Sequence, residues 1–166
     1  MKKYLVYLFT YSVLGFMLEK IVNILFTGSY YDNSVLIGPY QPLYGFGVVL
    51  LIIIYNVWIS KTKGITYWTL LIIIGIATTA LSEFVSGESY KLLTGITLWD
   101  YGYTFTCSYP FVCIIPTSLF GIISALTVKY LHPFIDSFLN LIPSIIKTAL
   151  IITLLLDYIY FFIKFI

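Results

Sequence analysis

The sequence predicts an all-α membrane protein, a polytopic bundle of about five transmembrane helices with one short interfacial helix. Two observations lead to this prediction. Of the 166 residues, 60% are hydrophobic and only 10% are charged, a balance that excludes an ordinary soluble domain and a disordered chain. Almost every segment long enough to cross a bilayer is apolar. We therefore expect residues 1–166 to form a single integral-membrane domain without a soluble catalytic module.

The first predicted helix covers about residues 4–26 and follows Lys2 and Lys3. Lysines before an apolar run also begin a signal peptide, but this run is longer than the apolar part of a typical one and contains Glu19. No small-residue cleavage pattern follows it, so we interpret the run as a transmembrane helix. The second predicted helix, about residues 43–60, is entered through a turn rich in glycine and proline.

The third predicted helix covers about residues 66–90, the fourth about 112–131 and the fifth about 144–165. We expect His132 to end the fourth helix, because a residue that precedes proline disfavours helical backbone. A histidine there would also suit the C-terminal end of the helix dipole. Residues 134–141 are apolar but too short to span a bilayer, which predicts the interfacial helix.

The lysines orient these helices. All nine basic residues are lysines, and in a five-helix count six of them fall on one side. The positive-inside rule then puts the N-terminus in the cytoplasm and the C-terminus outside. A composition rich in isoleucine, lysine and tyrosine indicates a bacterial chain and hence the bacterial cytoplasmic membrane. The net charge of +2 is too small to indicate nucleic-acid binding. The six lysines that fall on the cytoplasmic side in this count are Lys2, Lys3, Lys61, Lys63, Lys129 and Lys147.

Two glutamates lie inside apolar stretches. Glu19 and Glu83 are at similar depth, roughly 20–25 Å from the basic ends of their helices at 1.5 Å per residue, and Asp157 falls in the same outer half. Such residues usually face a bundle interior, a partner or a water-filled cavity. We predict that Glu19 and Glu83 share one site, in which one holds a proton or a cation lies between them. The alternative is plain packing, with the carboxylates protonated or bonded to hydroxyl groups.

Small and polar residues recur at spacings of three and four on four of the predicted helices. This spacing puts them on one side of each helix, and we expect the four stripes to face each other. The stripes are Ser12, Gly15, Glu19 and Asn23; Gly75, Thr79, Glu83, Ser86, Gly87 and Tyr90; Ser118, Gly121 and Ala125; and Thr153, Asp157, Tyr160 and Lys164.

The segment from Gly38 to Gly47 is dense in turn residues. Two prolines exclude helix until about residue 43, and Gly45 and Gly47 then allow close approach of the backbone. The segment predicts either a re-entrant or partly buried turn beside the acidic residues, or a tight structural turn.

The second outer connection, residues 91–111, contains Trp99, Asp100 and Tyr101. We predict that Asp100 is fixed locally, because the hydroxyl of Tyr103 or Thr104 can donate to its carboxylate. Interfacial tryptophan and tyrosine also serve as membrane anchors. A disulfide between the cysteines at 107 and 113 is left open, and would require this loop to face an oxidising compartment.

These pieces together resemble the small multi-pass bacterial proteins of the ABC-transporter type IV, or CmpB-type, permease family. The resemblance covers about residues 11–135 and leaves the fifth helix outside. The family often has cysteine where this chain has Gln41, and often an arginine after the Trp-Asp-Tyr segment, where this chain has Thr104–Tyr109. The resemblance implies a transport-related membrane protein. The matching pieces are Leu14-Gly15 to Glu19, the 38–47 turn, Glu83, Trp99-Asp100-Tyr101 and Leu131-His132-Pro133.

Three classes of function fit the residues. In the first, a permease-like subunit binds a cation or small cationic ligand in an outer-half cavity through carboxylates and aromatic rings. In the second, a membrane-embedded enzyme acts on lipid or a cell-envelope precursor by acid–base catalysis, although no Ser-His or Cys-His pair is evident. In the third, a non-catalytic protein assembles with or regulates a partner. The candidate ligand-binding residues are Glu19, Glu83, Tyr40, Tyr44, Trp99, Asp100, Tyr101 and Asp157.

The partners follow from what the chain lacks. It has no Gly-x-x-x-x-Gly-Lys-Ser/Thr loop, so pumping would need a separate ATPase or another membrane subunit. Five helices are few for a complete transporter, so we expect a homodimer or larger assembly in the lipid bilayer. No cofactor is expected, no catalytic residue is assigned, and any metal would need carboxylate ligands, which suit hard cations.

Overall fold

The computed structural model describes residues 2–28, 34–102, 106–107 and 109–165. Helices make up 81% of the chain, and the described residues form no strand. The six α-helices are α1 Lys2–Thr27, α2 Pro42–Val57, α3 Gly64–Thr94, α4 Ile114–Leu126, α5 His132–Leu141 and α6 Ser144–Phe165. A 3₁₀ turn, Ile59–Lys61, follows α2, and a π turn, Thr127–Leu131, joins α4 to α5.

Four helical segments among the described residues are long and apolar enough to cross a membrane, and α2 is a shorter apolar helix. The four segments are Lys2–Leu25, Gly64–Thr94, Ile114–Leu141 and Ser144–Lys164. The prediction of an all-α membrane bundle is therefore confirmed.

Two helix boundaries have clear local causes. The N–H of Gly95, in the left-handed conformation with φ 72°, donates to Lys91 O and ends α3. The carbonyl of Pro143 accepts from Ile146 N and Lys147 N at the start of α6.

The predicted stop at His132 was wrong. The chain passes through the π turn and continues as α5, so the expected interfacial helix is present but continuous with α4. In the π turn the N–H of His132 donates to Thr127 O, five residues back. Pro133 has no N–H to donate and normally clashes with the preceding turn. The wider turn accommodates the proline at the start of α5, so His132 caps no helix end.

The chain divides into two compact units. The first comprises Met1–Phe46 and Ile142–Ile166. In it α1 packs against α6, and Lys2 Nζ donates to Ser144 Oγ at 2.8 Å. The prediction of a single integral-membrane domain stays a prediction.

The second unit, Gly47–Leu141, is built on α3 and α4. These helices cross where Gly75 meets Gly121, because a Cβ on Gly75 would lie 2.7 Å from Gly121 O. Ala125 is buried on the same seam. Helices whose contact residues lack side chains can approach this closely, so the small-residue seam predicted for the fourth helix is present.

The stripes predicted on the other helices have mixed outcomes. On α1 Ser12 is buried, and on α3 the predicted stripe includes a buried row at four-residue spacing from Gly75 to Gly87. On α6 the predicted polar face was wrong, because Thr153 and Tyr160 are exposed. Leu154 and Phe161 are buried there instead, and half-buried Asp157 accepts a hydrogen bond from Gly38 N.

Candidate functional site

Among the residues that the structure describes, the most enclosed carboxylate is Glu83, on the buried face of α3. Its side chain is only 3% exposed. Tyr101 OH donates to Oε1 at 3.1 Å, and Thr117 Oγ1 donates to Oε2 at 2.5 Å. Both donors are neutral hydroxyl groups, so they stabilise a negative charge on Glu83 without neutralising it.

Thr117 is set up as a donor by the start of α4. The N–H of Cys113 donates to Thr117 Oγ1 at 3.2 Å, which occupies the hydroxyl as an acceptor and leaves its own proton for Glu83. The sequence reasoning missed this residue. Thr117 lies four residues before Gly121, so the same helical spacing that marked the seam could have included it.

The loop that carries Tyr101 is closed on itself by hydrogen bonds and packs on α3 through Phe111. Tyr101 N donates to Pro110 O at 2.9 Å, and Trp99 Nε1 donates to Phe111 O at 3.2 Å. Phe111 is fully buried against Gly87, where a Cβ would lie 2.7 Å from the ring atom Cδ1. The glycine thus provides the space in which the loop docks, and the docked loop places the Tyr101 hydroxyl on Glu83.

Cys107 and Cys113 form a disulfide, which resolves the pairing that the sequence left open. The adjoining backbone is paired as well, because Ile114 N donates to Thr106 O at 3.1 Å. The bridge joins the loop directly to the residue that precedes α4. It therefore braces the residue whose N–H orients the Thr117 hydroxyl.

Asp100 is held within its own turn, as predicted. Gly102 N donates to Asp100 Oδ1 at 2.7 Å, a local side-chain-to-backbone bond typical of aspartate in turns. The donors that the sequence suggested, Tyr103 and Thr104, lie outside the described residues. Asp100 itself is exposed.

A second carboxylate centre lies in the first unit. Asp157 on α6 accepts from Ile37 N at 3.1 Å, from Gly38 N at 2.8 Å and from Tyr40 OH at 2.5 Å. Tyr40 is 3% exposed. Burial, followed by the hydrogen bond to Asp157, raises the pKa of Tyr40, which keeps its hydroxyl protonated as the donor. This aspartate therefore fastens the turn before α2 to α6.

Glu19 forms the third centre. Tyr44 OH donates to Glu19 Oε2 at 2.9 Å, and the Tyr44 ring packs directly on Gly15, where any Cβ would overlap it. The close approach predicted for Gly45 is also present, since a Cβ there would lie 2.5 Å from Leu8 O. The residues of the 38–47 turn thus bring the Tyr44 hydroxyl to Glu19 on α1.

The structure pairs most of the predicted site residues, each within its own unit. Tyr40 joins Asp157, Tyr44 joins Glu19, and Tyr101 joins Glu83. A site shared by Glu19 and Glu83 stays a prediction. Within the described ranges, no group of three His, Cys, Asp or Glu side chains is arranged to hold a metal ion.

Comparison with known families gives one result. A family model described as "Putative ABC-transporter type IV" matches residues 6–165. This range includes α6, so the expectation that the fifth predicted helix lies outside the resemblance was wrong. Neither a curated protein nor a solved structure matches.

Proposed function

Because the chain belongs to the family described as putative ABC-transporter type IV, we propose that it is a permease-like subunit whose acidic and aromatic centres bind a cation or a small cationic ligand. The family and the membrane helices support a transport-related membrane protein. The ligand class rests on the chemistry of the carboxylate centres.

The observation that carries this proposal is the Glu83 centre. A carboxylate inside a membrane-spanning helix is costly and is a functional-site hypothesis by default. In the described part of the chain, the groups that hydrogen-bond to it are the neutral hydroxyls of Tyr101 and Thr117. A bound cation or proton would supply the compensating charge.

Aromatic rings around the docked loop fit the same ligand class. Trp99 and Tyr109 both pack edge-on against Phe111, with ring centroids 5.6 Å and 6.0 Å away. Lys91 Nζ lies 5.9 Å from the Phe111 centroid, within the range of a cation–π contact. The faces of such rings carry the negative potential that attracts a cation, so the cluster has the chemistry to contact a cationic ligand near Glu83.

The proposed orientation keeps the N-terminus in the cytoplasm and the loop of Tyr101 outside. The Cys107–Cys113 disulfide supports it, since such bonds persist in oxidising compartments and are rare in the cytosol. After reduction with an impermeant phosphine, a membrane-impermeant maleimide should label Cys107 in intact cells. Labelling only after permeabilisation would contradict this orientation.

Energy coupling would come from outside the chain. The sequence has no phosphate-binding loop for ATP, so we propose a separate ATPase or another membrane subunit as partner, and a homodimer or larger assembly of this chain.

The test of ligand class is Glu83→Gln in proteoliposomes. Glutamine keeps the size and an acceptor oxygen but removes the charge. Binding of sodium, potassium and tetramethylammonium ions, used as probes, should weaken at least about tenfold for whichever probe the wild type binds.

Glu88→Gln is the matched control, because Glu88 is a half-buried carboxylate five residues along the same helix that accepts from Tyr109 OH. It should bind the probe as the wild type does. Unchanged binding by Glu83→Gln, or an equal loss in both variants, would overturn the assignment of the site to Glu83.

A further inference from the structure

The disulfide closes a short covalent ring in the loop that reaches Glu83. Its cysteines, Cys107 and Cys113, are six residues apart in sequence, and both are buried, at 6% and 3% exposed. The second of them directly precedes α4. We call residues 107–113 the cystine ring. It is fixed to the start of α4 at one end, and the folded protein shields its sulfur atoms from solvent.

The cystine ring supplies the backbone acceptors for the segment that carries Tyr101. Pro110 O accepts from Tyr101 N at 2.9 Å, and Phe111 O accepts from Trp99 Nε1 at 3.2 Å. The side chain of Phe111 is fully buried against Gly87 on α3. The same few residues therefore dock the loop on the helix and hold the segment whose tyrosine hydroxyl reaches the carboxylate.

The two donors to Glu83 depend on the bridge to different degrees. Thr117 is carried by α4, which packs on α3 where Gly121 meets Gly75, so the helix crossing itself keeps this hydroxyl near the carboxylate. Tyr101 lies between α3 and α4, outside both helices, and its backbone is paired with the cystine ring. We therefore expect opening of the bridge to remove the Tyr101 donor and to keep the Thr117 donor.

The bridge acts on the loop mainly when the loop is not docked. In the chain-entropy model, closing a ring of this length removes conformations of the open chain by a factor of roughly 50, which favours the docked state. A hydrogen bond to a charged acceptor favours the docked state by about tenfold or more. The bridge thus contributes about as much as the bond from Tyr101 to Glu83, so we expect the bond to be lost with it.

We propose that oxidation of Cys107 and Cys113 is the maturation step that completes the Glu83 centre, because the closed ring brings the Tyr101 hydroxyl onto the carboxylate. The inference rests on the proposed cation site and adds its regulation. A chain with two free thiols inserts and folds in the membrane, but its Glu83 has lost one of the two hydroxyls that stabilise a negative charge, and it binds the cation more weakly.

The oxidant is a disulfide of a second protein in the compartment that the loop faces. The thiolate of one cysteine attacks that disulfide, which forms a mixed disulfide and releases one thiolate of the oxidant. The other cysteine then attacks the mixed disulfide, which forms the Cys107–Cys113 bond and releases the oxidant as a dithiol. Two electrons and two protons pass from the two cysteines to the oxidant. Because both cysteines are buried in the docked loop, the exchange precedes docking.

The first test is amide hydrogen exchange of the purified full chain in micelles. It compares the oxidised wild type, the wild type reduced with dithiothreitol during mild warming, and the double variant Cys107→Ala, Cys113→Ala. The Tyr101 amide should exchange at least about tenfold faster in both bridge-free forms, and reoxidation with oxidised glutathione should restore slow exchange. The Gly95 amide, which ends α3, is the matched control and should not change. Equal exchange of the Tyr101 amide in all forms would overturn the proposal.

The second test is binding of sodium, potassium and tetramethylammonium ions as probes. In the oxidised protein Tyr101→Phe should weaken binding about tenfold for whichever probe the wild type binds, and in the bridge-free protein it should cause no further loss. Tyr44→Phe, which removes the hydroxyl on Glu19, is the matched control, and its effect should be the same with and without the bridge. An equal loss from Tyr101→Phe in both forms would contradict the inference. If the oxidised wild type binds none of the probes, the proposed function fails, and exchange of the Tyr101 amide still decides whether the bridge assembles the centre.

Discussion

Replacing Thr117 by valine removes the hydroxyl through which α4 contacts Glu83, without changing the shape of the side chain. Two hydrogen bonds are lost together, the one to Glu83 Oε2 and the one from Cys113 N. A bond to a charged acceptor contributes about 1.5–3 kcal/mol, and a buried N–H left unpaired costs about 1–3 kcal/mol. We therefore expect Thr117→Val to lower the free energy of unfolding by about 3 kcal/mol.

The matched control is Thr117→Ser, which keeps the hydroxyl and loses one buried methyl group, a change of about 0.8 kcal/mol. Unfolding in mixed micelles, followed by tryptophan fluorescence, measures both variants. The valine variant should also loosen the Glu83 centre and weaken binding of the cation probe. Equal stability of the valine and serine variants would refute the reasoning, because it would mean that the hydroxyl holds neither Glu83 nor Cys113.

Two further predictions concern the packing of each unit. Gly121→Ala should destabilise the protein by about 1–3 kcal/mol in the same assay, because the added methyl would lie 2.7 Å from Ile76 N. Gly47→Ala should cost less, since its nearest neighbour, a serine hydroxyl oxygen, is 3.3 Å away, and equal costs would contradict the close crossing of α3 and α4. Asp157→Asn should speed hydrogen exchange of the Gly38 amide, because an amide group has one acceptor oxygen where the carboxylate has two. Unchanged exchange would show that Asp157 does not fasten the turn before α2.

The helices were predictable because bilayer thickness demands long apolar runs, and such runs can be read directly. Each of the five predicted spans coincides with a helix, and all but the fourth have ends within a few residues of the prediction, whereas the fourth continues through the π turn into α5. The error at His132 has a physical cause. The rule that a residue before proline leaves the helical region is local, and a π turn of five residues satisfies the backbone by another pattern.

The candidate site was predictable in part. Glu19, Glu83 and Asp157 stand out because charges are rare in apolar runs, but their partners do not. Asp157 is bonded to backbone N–H groups 119 and 120 residues away, and every residue offers the same backbone group, so no sequence pattern marks these two. Thr117 was equally inconspicuous, since a threonine in a helix most often bonds its own preceding turn.

The way in which Glu83 is held has a consequence for how the chain is made. Its two donors follow it by 18 and 34 residues, so the carboxylate leaves the ribosome before either of them. An acidic residue near the centre of a helix raises the free energy of insertion by about 2.5–3.5 kcal/mol. Only when α4 follows can Thr117 and the docked loop contact Glu83. The pair α3–α4, rather than α3 alone, is therefore the unit that we expect the translocon to release into the bilayer.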